Sequence, residues 1–475
     1  MSAMDLLIYA AAGSGSHRWP RFPSAFFSIL EMQCSPFLSA IFSISIMQKT
    51  PMDKRRSSFL LAMVLVGSII CLSSMYVGAS FVGALTLTQV VIACLIGNAI
   101  LSVLGGLLSY IGTKTGVGVA MLMRQSFGVV GNYILAILTA VVELGWFGYQ
   151  CGFFGQTIHV MFPNAGVITD PVVAGVWGGF LMMTTAFIGY KGLEVLSNIA
   201  SPLILLMCIV GCGIAAVKVG GMDAFNQITL ETNGTMSLAV GIVSVIGAYA
   251  MGAVLQPDLT RYGKKGSHSV IGAVFGFMIA NTFVIVAGYF MCTSVGTSDV
   301  ATGLLGILGT WSLLILILAQ WTTNDNNLYY SSLAAVVAMP KWKKKYVVIV
   351  FGIIATFAGA MGIVNYFTSW LGLLGTAIPP VAGILIVDYF FVKKKDYHFG
   401  AGVKHYFCST PALISWIAGC TVGFTVTWGI AAINSMVVAA VVHIVLSACL
   451  KNDSGKMYFG GLFEESERGE LKKVE

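Results

Sequence analysis

The chain reads as an all-α polytopic membrane protein, and three observations lead there. Hydrophobic residues fill 57% of its 475 positions and charged residues only 9%, where a soluble domain carries about 25% charge. Long apolar stretches recur along it, most of them near the roughly 20 residues that a helical crossing needs. One of them is interrupted by Gln320-Trp321-Thr322-Thr323-Asn324-Asp325-Asn326-Asn327. A lipid-facing helix does not tolerate such a run, because each uncompensated polar group is costly in hydrocarbon. The run must face a protein interior or a wet cavity, which makes it a candidate solute or ion site.

Polar punctuation divides the apolar stretches into about twelve spans: 58–80, 85–110, 131–158, 172–190, 196–217, 237–256, 269–291, 303–338, 346–364, 367–391, 411–430 and 433–450. The 303–338 stretch exceeds one perpendicular crossing, so it is expected to tilt or to include a cytoplasmic end. With alternating spans, Lys54, Arg55, Arg56, Lys114, Arg124, Lys191, Arg261, Lys264, Lys265, the cluster from Lys341 to Lys345, Lys393 to Lys395 and Lys404 all fall on one side. By the positive-inside rule that side is cytoplasmic, which places both termini inside a plasma membrane. The net charge of +7 is then a topology signal, not a nucleic-acid footprint. The ten cysteines are scattered through apolar spans and show no metal or disulfide spacing.

Residues 1–56 read as an N-terminal extension. Its first fifty residues lack the basic start and clean apolar core of a signal peptide. They are expected to come from a misassigned start, with Met47 or Met52 the true one. Residues 451–475 read as a cytoplasmic tail. Asn233-Gly234-Thr235 is a formal glycosylation sequon, and Pro379-Pro380 is expected to bend the tenth span.

Three clusters break the apolar background. In the third span Glu143, Trp146 and Gln150 share one helical face. An acceptor, a flat indole and an amide suit a planar heteroaromatic ligand; the indole alone would suit an interhelical packing face, but an embedded carboxylate on the same face favours the ligand. In the sixth span Gly247-Ala248-Tyr249-Ala250-Met251-Gly252 either lets the helix unwind and free backbone groups, or allows close helix packing. In the eighth span the Thr322 and Thr323 hydroxyls offer hard oxygens to a cation such as sodium, or bond back to their own helix. Gly67-Ser68 and Ser73-Ser74 interrupt the first span and offer unwound carbonyls nearby. An enzyme reading lacks support: the six histidines lie mainly in loops or near span ends, and no metal-ligand pair occurs at helical spacing.

At these clusters the chain resembles the nucleobase:cation symporter-1 family, its cytosine permease branch above all. The resemblance rests on Gly145-Trp146-Phe147-Gly148, Asp258-Leu259-Thr260-Arg261-Tyr262-Gly263 and Trp321-Thr322-Thr323-Asn324-Asp325-Asn326. Ala377-Ile378-Pro379-Pro380 with Asp388-Tyr389, and Tyr110-Ile111-Gly112 with Lys114-Thr115-Gly116, add to it. It implies a leucine-transporter-like fold within residues 57–450: two inverted five-helix repeats, 57–218 and 236–392, then two extra helices in 411–450. It also implies a monomeric secondary-active importer of a nucleobase, cytosine first, coupled to sodium or a proton, with no bound cofactor. Purines, hydroxymethylpyrimidine, allantoin and hydantoins are the other solutes it implies. Trp146 would stack on the base, Tyr249 would wall its other face, and Asn324 would bond its edge. Backbone carbonyls of Gly67, Ile70 and Ala319 with Thr322 and Thr323 would hold sodium. Two residues depart from the cytosine branch. Glu143 stands where that branch has glutamine, and Gln150 is similar to the hydantoin-transporting branch.

Overall fold

The computed structural model describes residues 49–55, 57–188, 190–231, 234–339, 342–450, 457–465 and 471–474. Nearly all of the proposed N-terminal extension, and Asn233 of the sequon, therefore lie outside the described residues. The first expected span is two helices, α1 (Ser58–Ile69) and α2 (Leu72–Ala79). Next come α3 (Leu87–Thr115), a short α4 (Val119–Phe127), α5 (Val130–Met161), α6 (Pro171–Ile188), α7 (Tyr190–Val219) and α8 (Met222–Leu230). The second half holds α9 (Leu238–Val254), α10 (Gln256–Thr260) and α11 (Gly266–Thr293), which contains one π turn. It continues with α12 (Val300–Leu308), α13 (Thr310–Ala338), α14 (Lys344–Ala360) and α15 (Ile363–Val392), followed by α16 (Thr410–Thr425) and α17 (Ala431–Leu450). Among the described residues six helices are long and apolar enough to cross a membrane, and α6, α9 and α16 contain shorter apolar segments. The others within expected spans are broken (α1/α2), carry the polar run (α13) or are only 17 residues long (α14).

The breaks have local causes. Between α1 and α2, Ile70 (φ −75°, ψ 96°) and Cys71 (φ −138°, ψ 160°) are extended, which ends the intrahelical ladder in mid-span. The expected 303–338 span is not one tilted rod. Gly309, at φ 75°, separates α12 from α13, a backbone setting that favours glycine. The sixth span stays helical through Gly247 and Gly252 and breaks only near Leu255, before Pro257. Gly247 serves packing: a Cβ there would overlap the Leu371 carbonyl, and one on Gly375 would overlap the Val243 carbonyl. Gly247→Ala is expected to cost about 1–3 kcal/mol through overpacking, read as a thermal midpoint several degrees lower in detergent.

The helices sort into two groups. In one, α5, α6, α13 and α14 pack together; in the other, α1/α2, α3, α9/α10 and α11 do, and α15 lies against α9 and α17. A buried polar ladder ties the second group: Ser74 Oγ donates to Asn281 Oδ1 (2.5 Å), Asn281 Nδ2 to Asn98 Oδ1 (2.7 Å), and Asn98 Nδ2 to Thr282 Oγ1 (2.9 Å). Such groups are stable in an apolar interior only when paired.

Arg55, ahead of the first span, touches both the end of α3 and the loop after α10. Arg55 Nη1 donates to the Thr113 carbonyl (2.6 Å), and the Val119 N–H at the start of α4 donates to Asp258 Oδ1 (2.9 Å). The tail expected over 451–475 is not a plain extension. Tyr458–Glu465 (β2) pairs antiparallel with Lys404–Ser409 (β1) and with Leu471–Lys473 (β3) in a three-stranded sheet.

Candidate functional site

One face of α5 lines up Trp146, Tyr149, Gln150 and Phe153. The Trp146 ring meets Tyr149 (centroids 6.4 Å) and the edge of Phe367 from α15 (6.0 Å). Tyr149 also meets Trp370 (5.9 Å), while Phe153 stacks on Tyr76 of α2 at 3.7 Å and 11°. Gly145 makes room for this group, because a Cβ there would overlap the Trp370 indole. Two polar atoms in this apolar box have no partner: Gln150 Oε1 and Trp370 Nε1. Gln150 Nε2 reaches Ser73 Oγ at 3.5 Å, just past the α1/α2 break. An unpaired acceptor and an unpaired donor among flat rings are what a planar polar solute can satisfy.

Tyr249 of α9 approaches the same break. Its hydroxyl donates to the Ile69 carbonyl (2.6 Å) and lies 3.0 Å from Cys71 Sγ. Gly252 lies against the Tyr249 ring with no other atom close by.

On α13 the hydroxyls of Thr322 (3.0 Å) and Thr323 (2.8 Å) both donate to the Ala319 carbonyl. This is the back-bonded arrangement, and it has a second consequence. A hydroxyl that spends its proton on a carbonyl still points lone pairs outward. Three of the five expected sodium-binding residues thus lie on about one helical turn and carry hard oxygens, the type a small cation takes, while the Ala319 carbonyl is itself occupied by both hydroxyls. The other two, Gly67 and Ile70, lie in the last turn of α1 and at the break. Among the described residues no cluster of His, Cys, Asp and Glu could hold a metal ion.

Glu143 and Asn324 occupy different surroundings, although both were expected to touch the base. In the amide orientation that satisfies it, Asn327 donates to Glu143 Oε2 (3.2 Å) and to the Thr323 carbonyl (3.3 Å). Glu143 is half-buried there, one turn of α5 below Trp146. Asn324 is fully buried between α13, α5 and α6, its Nδ2 3.4 Å from Cys151 Sγ and 3.3 Å from Met182 Sδ. The neighbouring Asp325 accepts from Thr185 Oγ1 (2.6 Å), which in turn accepts from Trp321 Nε1 (2.8 Å). The polar run therefore serves two faces of α13. Gln320 reaches Tyr76 and Thr157, and Trp321, Asn324 and Asp325 bind α13 to α5 and α6.

Sequence reading missed Phe367, Trp370 and Asn327. Phe367 and Trp370 stand three apart in an apolar span far along the chain, and nothing local aims them at α5. Asn327 was in view, since a position four residues past Thr323 shares its face.

A family model described as "Permease for cytosine/purines, uracil, thiamine, allantoin" matches residues 49–447. The cytosine permease of Escherichia coli K12 is 29% identical over 409 residues, covering 84% of this chain and 93% of that protein. The hydantoin permease of Microbacterium maritypicum is 22% identical, covering 70% and 72%. Among solved structures, the inward-facing conformation of Mhp1 superposes with a TM-score of 0.75 at 19% identity, covering 86% of this chain and 95% of that one. Mhp1 closed with bromovinylhydantoin bound gives 0.69 at 18% identity, covering 86% and 97%. The helix order and these superpositions give the leucine-transporter-like fold of two inverted repeats and further C-terminal helices. The chain is thus a multi-pass membrane transporter, not an enzyme, and belongs to the family of permeases for cytosine/purines, uracil, thiamine and allantoin, the nucleobase:cation symporter-1 transporters.

Proposed function

We propose that the protein is a monomeric importer of a planar nucleobase, cytosine first, driven by sodium across a plasma membrane, with both termini cytoplasmic. The observation that carries this reading is the box formed by Trp146, Tyr149, Gln150, Phe367 and Trp370, in which two buried polar atoms, the acceptor Gln150 Oε1 and the donor Trp370 Nε1, have no partner. The indole of Trp146 stacks on the base, Gln150 reads its edge, and Tyr249 closes the far wall beside the α1/α2 break. Asn324 bonds the base edge only if α13 turns it away from Cys151. Sodium, held by the Ala319 carbonyl, Thr322, Thr323 and the Gly67 and Ile70 carbonyls, would supply positive charge where the helix is broken. One charge moving down a 100 mV potential is worth about 2.3 kcal/mol, enough for roughly fiftyfold accumulation. Alternating access moves the group containing α1/α2 and α9/α10 against the one containing α5 and α13.

The test is uptake of tritiated cytosine with sodium or choline, competed by unlabelled cytosine, uracil, adenine, hypoxanthine, allantoin, hydroxymethylpyrimidine and hydantoin. Sodium-stimulated uptake blocked by cytosine supports the reading. Uptake indifferent to sodium removes the ion assignment, and competition by another solute alone replaces cytosine. Thr323→Val is expected to raise the sodium concentration for half-maximal uptake roughly tenfold or more, as loss of a supporting ligand does at metal sites. An unchanged sodium requirement would remove Thr323 from the site. A second reading, a proton in place of sodium or a hydantoin-like solute in place of cytosine, is favoured by Glu143 beside Asn327 and by Gln150.

A further inference from the structure

Helix α4 is held by three carboxylates, each from a different part of the chain. At its start the Val119 N–H donates to Asp258 of α10. Near its end Ser126 Oγ donates to Asp388 Oδ2 (3.0 Å), which also accepts from Tyr397 OH (2.6 Å), while Asp388 Oδ1 meets His443 Nε2 (2.9 Å). The third carboxylate is Glu465, the last residue of β2. Its Oε1 lies 3.9 Å from Arg124 Nη1 of α4, and its Oε2 lies 3.0 Å from His405 Nε2 of β1. Glu465 is 2% exposed, Arg124 6% and His405 5%. Burial lowers the Arg124 guanidinium from its ordinary range and Glu465 opposes that shift. Main-chain bonds fix the geometry: Glu465 N–H to the Val403 carbonyl (2.8 Å), Gly402 N–H to the Glu465 carbonyl (2.9 Å), and Val129 N–H at the start of α5 to the Tyr406 carbonyl (3.0 Å).

A buried carboxylate in such a place is costly unless it is paired and hydrogen-bonded. The arrangement also joins the two helix groups that alternating access would move. Asp258 belongs to the group containing α9 and α10, whereas Val129 begins α5 of the other group. Helix α4 bridges them, and β2 holds its far end.

We propose that Glu465 is a positioning residue for transport: by fixing Arg124 it holds α4 where Asp258 docks, and so sets the rate at which the two helix groups reorient, without touching the solute. The inference rests on the transport reading above, and two measurements separate their failures. The first needs no solute. Hydrogen exchange of the full chain in nanodiscs is expected to rise over residues 119–132 in Glu465→Gln, with α11 and α13 unchanged, and to return toward wild type in Glu465→Asp. The second is uptake of tritiated cytosine, or of whichever base in the panel the wild type takes up. Glu465→Gln is expected to lower the maximal rate roughly tenfold, the scale of one lost charge-assisted bond, with equilibrium base affinity unchanged. Exchange and rate both at wild-type values would overturn the proposal. So would a parallel loss of rate, affinity and global protection, since that pattern belongs to a merely structural residue.

Discussion

Trp146→Ala is expected to lower base affinity roughly 100-fold while the protein still inserts and runs as a single species. Stacking a base on an aromatic plate is worth about 1–3 kcal/mol, and 1.4 kcal/mol is a factor of ten. The upper end applies because the ring is held on two sides, by Tyr149 and by the edge of Phe367, so little entropy is lost when a base lands on it. The variant also leaves a void, and large-to-small changes in a packed site cost stability on their own account. Trp146→Phe separates the two effects. It keeps a π face and most of the volume, so it should restore thermal stability and recover part of the affinity. Isothermal titration of purified protein, or scintillation proximity with tritiated cytosine, reads the first quantity, and a thermal melt reads the second. Near-normal affinity in the alanine variant would show that the indole is packing and that the solute lies elsewhere.

What the sequence made legible follows from helical periodicity. Thr322 and Thr323 share their helix with Ala319 three and four residues earlier, so their convergence on its carbonyl is a local fact that spacing discloses. The same holds for Trp146 and Gln150 on α5, four apart and about one and two turns above Glu143. Neighbours within one helix were harder to separate when they sit 100° apart. Thr323, Asn324 and Asp325 are consecutive, yet Thr323 turns back on Ala319, Asn324 packs on Cys151 and Met182, and Asp325 reaches Thr185. Which residue faces the aromatic box depends on the rotation of α13, set by its packing against α5, and no single-helix pattern fixes that rotation. Contacts across the inverted repeats were out of reach for the same reason. Trp370 meets Tyr149 only because Gly145 lacks a side chain. The sheet of β1, β2 and β3 escaped notice because its strands are short and separated by two spans.

Glu143→Gln is expected to cut the preference for cytosine over uracil about tenfold and to flatten the pH dependence of uptake. The reason is the inventory around the carboxylate. Asn327 donates to Oε2 at 3.2 Å, and no lysine or arginine is seen pairing with Glu143 among the described residues. A carboxylate with no cation beside it needs donors, and the exocyclic amino group of cytosine can supply one. In its ionised form the group only accepts, so it then rejects a base that offers a carbonyl at that edge. Glutamine both donates and accepts, and the rejection goes. A hydrogen bond to a charged group is worth about 1.5–3 kcal/mol, hence the tenfold estimate. Asn327→Ala should weaken cytosine affinity in the wild-type background and have a smaller effect when position 143 is already glutamine. That non-additivity is the signature of two groups acting on one ligand edge. Competition curves for cytosine and uracil on the four proteins, each at three pH values, give the whole cycle. Equal losses in both backgrounds, or an unchanged cytosine-to-uracil ratio, would make Glu143 a helix-packing residue and return the choice of base to Gln150.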